Sequence, residues 1–146
     1  MPKPITIFTD GGARGNPGPA GAGIVIYLEK KENLFKKFLG EKRTNNEAEY
    51  EALILALKKV KLLVGKEVAK KSHLICYSDS ELMVRQLNHQ YKIKEPTIQK
   101  LFLEIWNLML DFSQVEFLHI PREKNSLADK LANQALDEFQ NSPKLF

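Results

Sequence analysis

Four acidic side chains stand where an acid has chemical use: Asp10 in ITIFTDGG, Glu49 in TNNEAEY, Asp79 in CYSDS and Asp129 in NSLADKLA. Each falls at the end of a predicted strand or in the first turns of a predicted helix. Such positions converge on one edge of an α/β sheet. Four carboxylates gathered there repel one another unless cations lie between them. Hard oxygen ligands in that number suit Mg²⁺ or Mn²⁺, so metal-dependent phosphoryl chemistry is the leading hypothesis.

The spacing of apolar residues predicts the elements that must position these acids. Ile5–Asp10 reads as a strand, followed by a Gly/Pro-rich connection, Gly11–Gly21. Gly23–Leu28 and Leu34–Leu39 read as two more strands about the polar turn Glu29–Asn33, which makes an antiparallel meander. From Asn46 to Leu63 the period becomes helical, with Ala48, Ala52, Leu53, Ala56, Leu57 and Val60 on one stripe. His73–Ser78 is the fourth strand. Helical stretches follow over Glu81–Gln90 and Thr97–Leu110, split by Lys94–Pro96. Val115–Ile120 is the fifth strand, and Ser126–Phe139 a last amphipathic helix. The order βββ-α-β-αα-β-α implies an α/β protein with a mixed sheet. The chain reads as one domain over residues 1–146, with 140–146 as a loose tail.

Composition excludes several classes. The single cysteine, Cys76, lies in an apolar run, can form no internal disulfide and is expected to be buried. The N-terminus MPKPITIF lacks an apolar export segment, and no apolar stretch approaches ~20 residues. Neither export nor membrane insertion is expected, and a cytoplasmic location is. A net charge of +4 favours a polyanionic partner. The lysine runs Lys58–Lys61 and Lys66–Lys71 read as solvated helix faces.

Each acid also has a plain structural reading. Asp10 and Asp79 sit in Asp-Gly and Asp-Ser dipeptides that commonly open turns. Asp129 fits a capping box, Ser126-x-x-Asp129, in which it would only close a helix N-terminus. Glu49 is different, because it lies on the stripe that should face the sheet, where a carboxylate is costly without a partner or metal. Its neighbour Glu47 has a local role in a capping box with Thr44.

Taken in order, TDGGARGNPGPAGAG, TNNEAEYEAL, YSDSELMVRQL and PREKNSLADKLA resemble the four sequence blocks of the type 1 ribonuclease H family, over about Ile5 to Leu136. The resemblance implies the ribonuclease H-like fold, a five-stranded mixed sheet of order 3-2-1-4-5 with helices on both faces. It implies an Asp-Glu-Asp-Asp site matched by Asp10, Glu49, Asp79 and Asp129. These would hold two Mg²⁺ or Mn²⁺ ions roughly 4 Å apart, with Asp10 bridging both. The implied reaction is hydrolysis of the RNA strand of an RNA/DNA hybrid, giving 5′-phosphate and 3′-hydroxyl ends.

Many members carry a loop histidine shortly before the last acid. Here no histidine lies between Ile120 and Asp129, and Arg122 takes roughly that place as an auxiliary catalytic candidate. It cannot shuttle a proton near neutral pH. A surface arginine beside Glu123 is the alternative. His119, expected mid-strand, reads as structural.

For reading 2′-hydroxyls, the resemblance points to Gly11, Asn16, Asn45 and Asn46. It assigns Thr44, with Lys42 or Arg43, to a pocket for a phosphate of the DNA strand. That pocket is usually completed by an asparagine, and Glu95 stands there instead, so double-stranded RNA is a second expected substrate. Asn88–Lys94 is too short for the basic protrusion of some relatives, though Tyr91, Lys92 and Lys94 leave a small basic and aromatic edge. No membrane and no obligate protein partner is expected, and the chain is expected to be a monomer. The start at Met1 and the final helix favour a stand-alone enzyme over the nuclease domain of a reverse-transcribing element. The competing reading is a non-catalytic hybrid- or RNA-binding module on the same fold. A sugar-kinase-like ATPase would need a second domain for which 146 residues leave no room.

Overall fold

Strand periodicity organises the first third of the chain. In the computed structural model, which describes residues 3–142, β1 (Ile5–Ala13), β2 (Gly18–Leu28) and β3 (Lys31–Arg43) form the antiparallel meander. Its strands are longer than the sequence predicts. Residues 11–21 are not an open connection: Gly11, Gly12 and Ala13 pair with Ala22, Gly21 and Ala20. Gly11 and Gly21 are approached closely by helix backbone, while Gly12 has open space beside it. β3 extends beyond Leu34–Leu39 because it is an edge strand, where charged residues such as Lys31, Lys36 and Lys42 face solvent without disrupting pairing.

Helix α1 (Asn45–Val64) begins with the expected capping box. Thr44 Oγ1 accepts from Glu47 N–H at 3.1 Å, and the Glu47 carboxylate accepts from Thr44 N–H at 2.8 Å. Gly65, at φ 86°, ends the helix and starts the short α2 (Lys66–Lys71), whose lysines are exposed. The earlier lysines are not merely solvated. Lys58 pairs with Glu104 at 3.7 Å and Lys61 with Asp111 at 3.2 Å. Strand β4 (His73–Ser78) leads to α3 (Glu81–Leu87), which stops short of Gln90 as His89 turns the chain at φ 64°. Helix α4 (Pro96–Met109), β5 (Gln114–His119), a 3-10 turn (Arg122–Lys124) and α5 (Ser126–Asn141) complete the described chain. Residues 140 and 141 of the expected tail are helical, and 143–146 lie outside the described residues.

The sheet order is β3-β2-β1-β4-β5, with β4 parallel to both β1 and β5. This is the ribonuclease H-like arrangement expected above. On one face Ile5, Ile7, Ile24 and Ile26 pack under helices α1 to α4. On the other, Val25 packs against Ala128 and Leu131 of α5. Cys76 is buried in the first of these cores, and its thiol pKa is pushed up by burial. Among the described residues no helix is long and apolar enough to cross a membrane.

Candidate active site

The site forms where β4 ends and β1 continues. Pairing between them stops at Thr9–Ser78, so Asp10 is the first residue of β1 without a β4 neighbour, and Asp79 leaves the end of β4 beside it. Glu49 arrives from α1. That approach needs Gly11, since a Cβ there would lie 2.1 Å from the Ala48 carbonyl oxygen. Gly11 N–H in turn donates to Glu49 Oε1 at 3.0 Å. Carboxylate oxygens of Asp10, Glu49 and Asp79 lie within 4.8 Å of one another. Asp10 and Glu49 are each only 9% exposed.

Asp129 comes from α5 on the opposite face. The expected capping box is absent: Asn125 is the N-cap, Ser126 is already helical, and Asn125 O accepts from Asp129 N–H at 3.1 Å. The Asp129 side chain is therefore not used as a cap and lines the same cleft as Asp10, where its charge acts on that acid. Two glycines of β2 let α5 come this near. A Cβ at Gly23, the residue paired with Asp10, would meet the Ala128 carbonyl oxygen at 2.0 Å.

Electrostatics describe a site short of positive charge. Burial, followed by the charges of Asp79 and Asp129, raises Asp10 from 3.8 to about 7, against a smaller opposing pull from Arg122. Burial and the charges of Asp10 and Asp79 push Glu49 well up, while Gly11 N–H and Arg122 oppose the shift. Asp79 is also raised, chiefly by burial, with Asn125, Arg122 and His119 pulling the other way. Carboxylates this reluctant to ionise together, with oxygen as the only donor element, fit hard divalent cations.

A cleft of about 390 Å³ joins all four acids to Gly11, Asn45 and Arg122. Of the other expected binding residues, Asn16 and Asn45 are locked together. Asn16 Oδ1 accepts from Asn45 N–H at 2.9 Å, and Asn45 Oδ1 accepts from Ala13 N–H at 2.9 Å. Asn46 Oδ1 is buried with no hydrogen-bond partner among the described residues. Lys42, Arg43 and Thr44 stand outside the cleft. The Arg43 guanidinium is taken up by Glu51 at 2.8 Å and by the carbonyls of Leu39 and Lys42. Glu95 is the exposed N-cap of α4. His119 closes β5 rather than lying mid-strand, and is exposed near Asp79.

Three residues escaped the sequence reading. Asn125, 1% exposed, donates to Thr9 O at 2.8 Å and to Asp79 Oδ2 at 3.5 Å, bracing the acid against β1. Arg14 and Asn133 line the cleft beside Asp129. The only local signal for any of them is an asparagine just before a helix start.

The comparisons agree with this geometry. The family described as reverse transcriptase-like matches residues 8–135. The bifunctional protein Rv2228c of Mycobacterium tuberculosis is 37% identical over 141 residues, a match covering 94% of this chain but 37% of that protein. The chain thus spans little more than a third of that relative's length. A ribonuclease H of Chromohalobacter salexigens is 33% identical, with 96% of this chain and 88% of that protein covered. The structure of LC11-RNase H1 in complex with an RNA/DNA hybrid shares 43% identity and a TM-score of 0.87, covering 94% of this chain and 99% of the other. Only residues 88–95 separate α3 from α4, leaving no room for a helical protrusion. Sheet order, converging acids and a likeness running through nearly the whole chain together make this protein a member of the type 1 ribonuclease H family.

Proposed function

We propose that this protein is an endoribonuclease that hydrolyses the RNA strand of RNA/DNA hybrids with divalent cations, leaving 5′-phosphate and 3′-hydroxyl ends. The observation that carries the reading is the convergence of Asp10, Glu49 and Asp79 within 4.8 Å beside Asp129. The substrate class is extended from the 43%-identical neighbour described in complex with an RNA/DNA hybrid.

Asp10, Glu49, Asp79 and Asp129 would hold two Mg²⁺ or Mn²⁺ ions. When bound, such ions supply Lewis-acid activation of water and stabilise charge on the leaving 3′ oxygen. Asp10, with Asp79 and Asp129 on the same cleft, would contribute its carboxylate to holding the ions. Gly11 N–H fixes the Glu49 carboxylate and Asn125 fixes that of Asp79. Water oxygen bonds to phosphorus and releases a proton to solvent, the P–O3′ bond breaks, and the 3′ oxygen takes a proton from solvent. Arg122 keeps its charge throughout and faces the phosphate as negative charge builds.

Recognition of the RNA strand falls to the β1–β2 hairpin and the start of α1, where Gly11, Asn16, Asn45 and Asn46 meet 2′-hydroxyls. Lys42 and Thr44 serve a phosphate of the DNA strand, with Arg43 bracing the strand end through Glu51. Glu95 repels a phosphate nearby, which weakens selection of DNA as the second strand and admits double-stranded RNA.

The test is cleavage of an end-labelled RNA strand in a hybrid, with Mg²⁺, Mn²⁺ or EDTA, beside Asp10→Asn protein and an RNA/RNA duplex. Internal cuts that need metal and vanish in Asp10→Asn are expected. Hybrid that stays intact with either metal but shifts in a gel would instead assign a binding module.

A further inference from the structure

The hairpin tip between β1 and β2 is strapped to α5 by Arg14. Its guanidinium donates to Gln140 Oε1 at 2.5 Å and to Asn133 Oδ1 at 3.3 Å, and pairs with Asp137 at 2.8 Å. Asn133 sits one helical turn beyond Asp129 and donates Nδ2 to the Asp129 carbonyl at 3.0 Å and to its Oδ1 at 3.3 Å. Both ends of the amide are thus used, oxygen toward Arg14 and nitrogen toward the acid. Only one of the two amide orientations satisfies both neighbours: the Asp129 oxygens require the donor end, and Arg14 holds the acceptor end. The 3.3 Å bonds are long for N–H···O, so the relay works by holding geometry, with Asp137 and Gln140 keeping Arg14 in place.

The three other acids do not depend on this chain of contacts. Glu49 has Gly11 N–H, and Asp79 has Asn125. Asp10 is buried just past the end of the β1–β4 pairing. Among the described residues, the neutral side-chain donor that Asp129 has is Asn133. A carboxylate free to rotate loses part of its affinity for a metal, and partners that orient a ligand are typically worth about 10–100-fold in metal affinity.

We infer that Asn133, oriented by Arg14, is a positioning residue for Asp129 and sets how tightly the site holds a divalent cation. This rests on the metal-dependent reading above. It also makes the hairpin that carries Asn16 a mechanical partner of the fourth carboxylate, since the same tip is bonded to α1 through Asn45.

The experiment titrates Mn²⁺ into the protein and follows free Mn²⁺ by electron paramagnetic resonance, for wild type, Asp10→Asn, Asn133→Leu, Arg14→Gln, Arg14→Lys and the Arg14→Gln/Asn133→Leu double variant. Urea midpoints and hybrid KM are measured on the same proteins. Asn133→Leu should weaken Mn²⁺ binding about tenfold. Arg14→Gln should act in the same direction, Arg14→Lys should restore most of the loss, and the double variant should bind no worse than Asn133→Leu. A merely structural strap would lower the urea midpoint and leave Mn²⁺ affinity alone, which overturns the inference. A raised hybrid KM in Arg14→Gln at unchanged Mn²⁺ affinity overturns it too, and assigns Arg14 to substrate. Should Asn133→Leu fail to fold, Arg14→Gln decides. No Mn²⁺ uptake by wild type would sink the metal-dependent reading and the inference together, whereas uptake lost in Asp10→Asn but intact in the relay variants sinks the inference alone.

Discussion

Asp10 carries a direct consequence of gathering acids in a buried site. In the unfolded chain its carboxyl ionises at an ordinary 3.8, but in the folded site without metal it does so only near 7. A raised folded-state pKa means that the folded protein binds the proton more tightly than the unfolded chain does. Its stabilising contribution is complete below about 4 and is lost as pH rises through 7. Glu49 shifts in the same direction and adds to the effect. In EDTA, therefore, the unfolding free energy, and with it the urea midpoint, should fall between pH 4 and pH 7, the free energy by an amount on the order of a few kcal/mol. Asp10→Asn, which cannot ionise, should flatten that slope, and Mg²⁺ at neutral pH should recover stability in the wild type alone. Denaturation curves across the pH range check this, and a midpoint indifferent to pH would mean that the acids are better compensated than their burial suggests.

At the scale of elements, catalytic geometry is set by how closely helices approach the sheet. Gly11 lets α1 bring Glu49 to β1, and Gly23 lets α5 bring Asp129 to Asp10. In both places a Cβ would collide with backbone, which cannot rotate away as a side chain can. Gly23→Ala should destabilise by about 1–3 kcal/mol or more through overpacking and depress cleavage further, because α5 must move away with its acid. Gly12→Ala is the control for stability, as a Cβ there meets nothing within 4 Å. Urea unfolding and cleavage rates measured on both variants test the distinction. Equal stability of the two would show that α5 has slack.

For the whole molecule, the proposed substrate is a long polyanion and the chain carries a net charge of +4. The acids occupy the cleft itself, so affinity depends on lysines and arginines around it and on counterion release. Hybrid binding should weaken by roughly a hundredfold between 50 and 200 mM salt if about four phosphates are neutralised. Fluorescence anisotropy of a labelled hybrid in Ca²⁺ or EDTA reads this directly. A flat salt response would shift recognition onto uncharged contacts at the hairpin and the α1 start.

Features governed by a few neighbouring residues could be read from the sequence. Strand alternation, the helical stripe of α1, the Thr44–Glu47 capping box and the burial of Glu49 follow from local period and chemistry. The order of the four acid-bearing segments, matched to a family, carried the sheet order as well. What depended on residues far apart in the chain could not be read this way. Gly11–Gly21 looks like a loop until its ladder partners are known, because glycine's role is decided by what approaches it. Ser126 and Asp129 spell a capping box, yet Asn125 caps α5 while its side chain reaches back to Thr9 O. Arg43 has a basic residue's sequence signal for phosphate, but Glu51 and two carbonyls hold it. Arg14 and Asn133 meet across 119 positions, a separation to which no periodicity extends. The sequence by itself determined which acids exist and on which elements they ride. Only the tertiary structure decided how near they come and what holds each in place, because those distances are set by packing between elements.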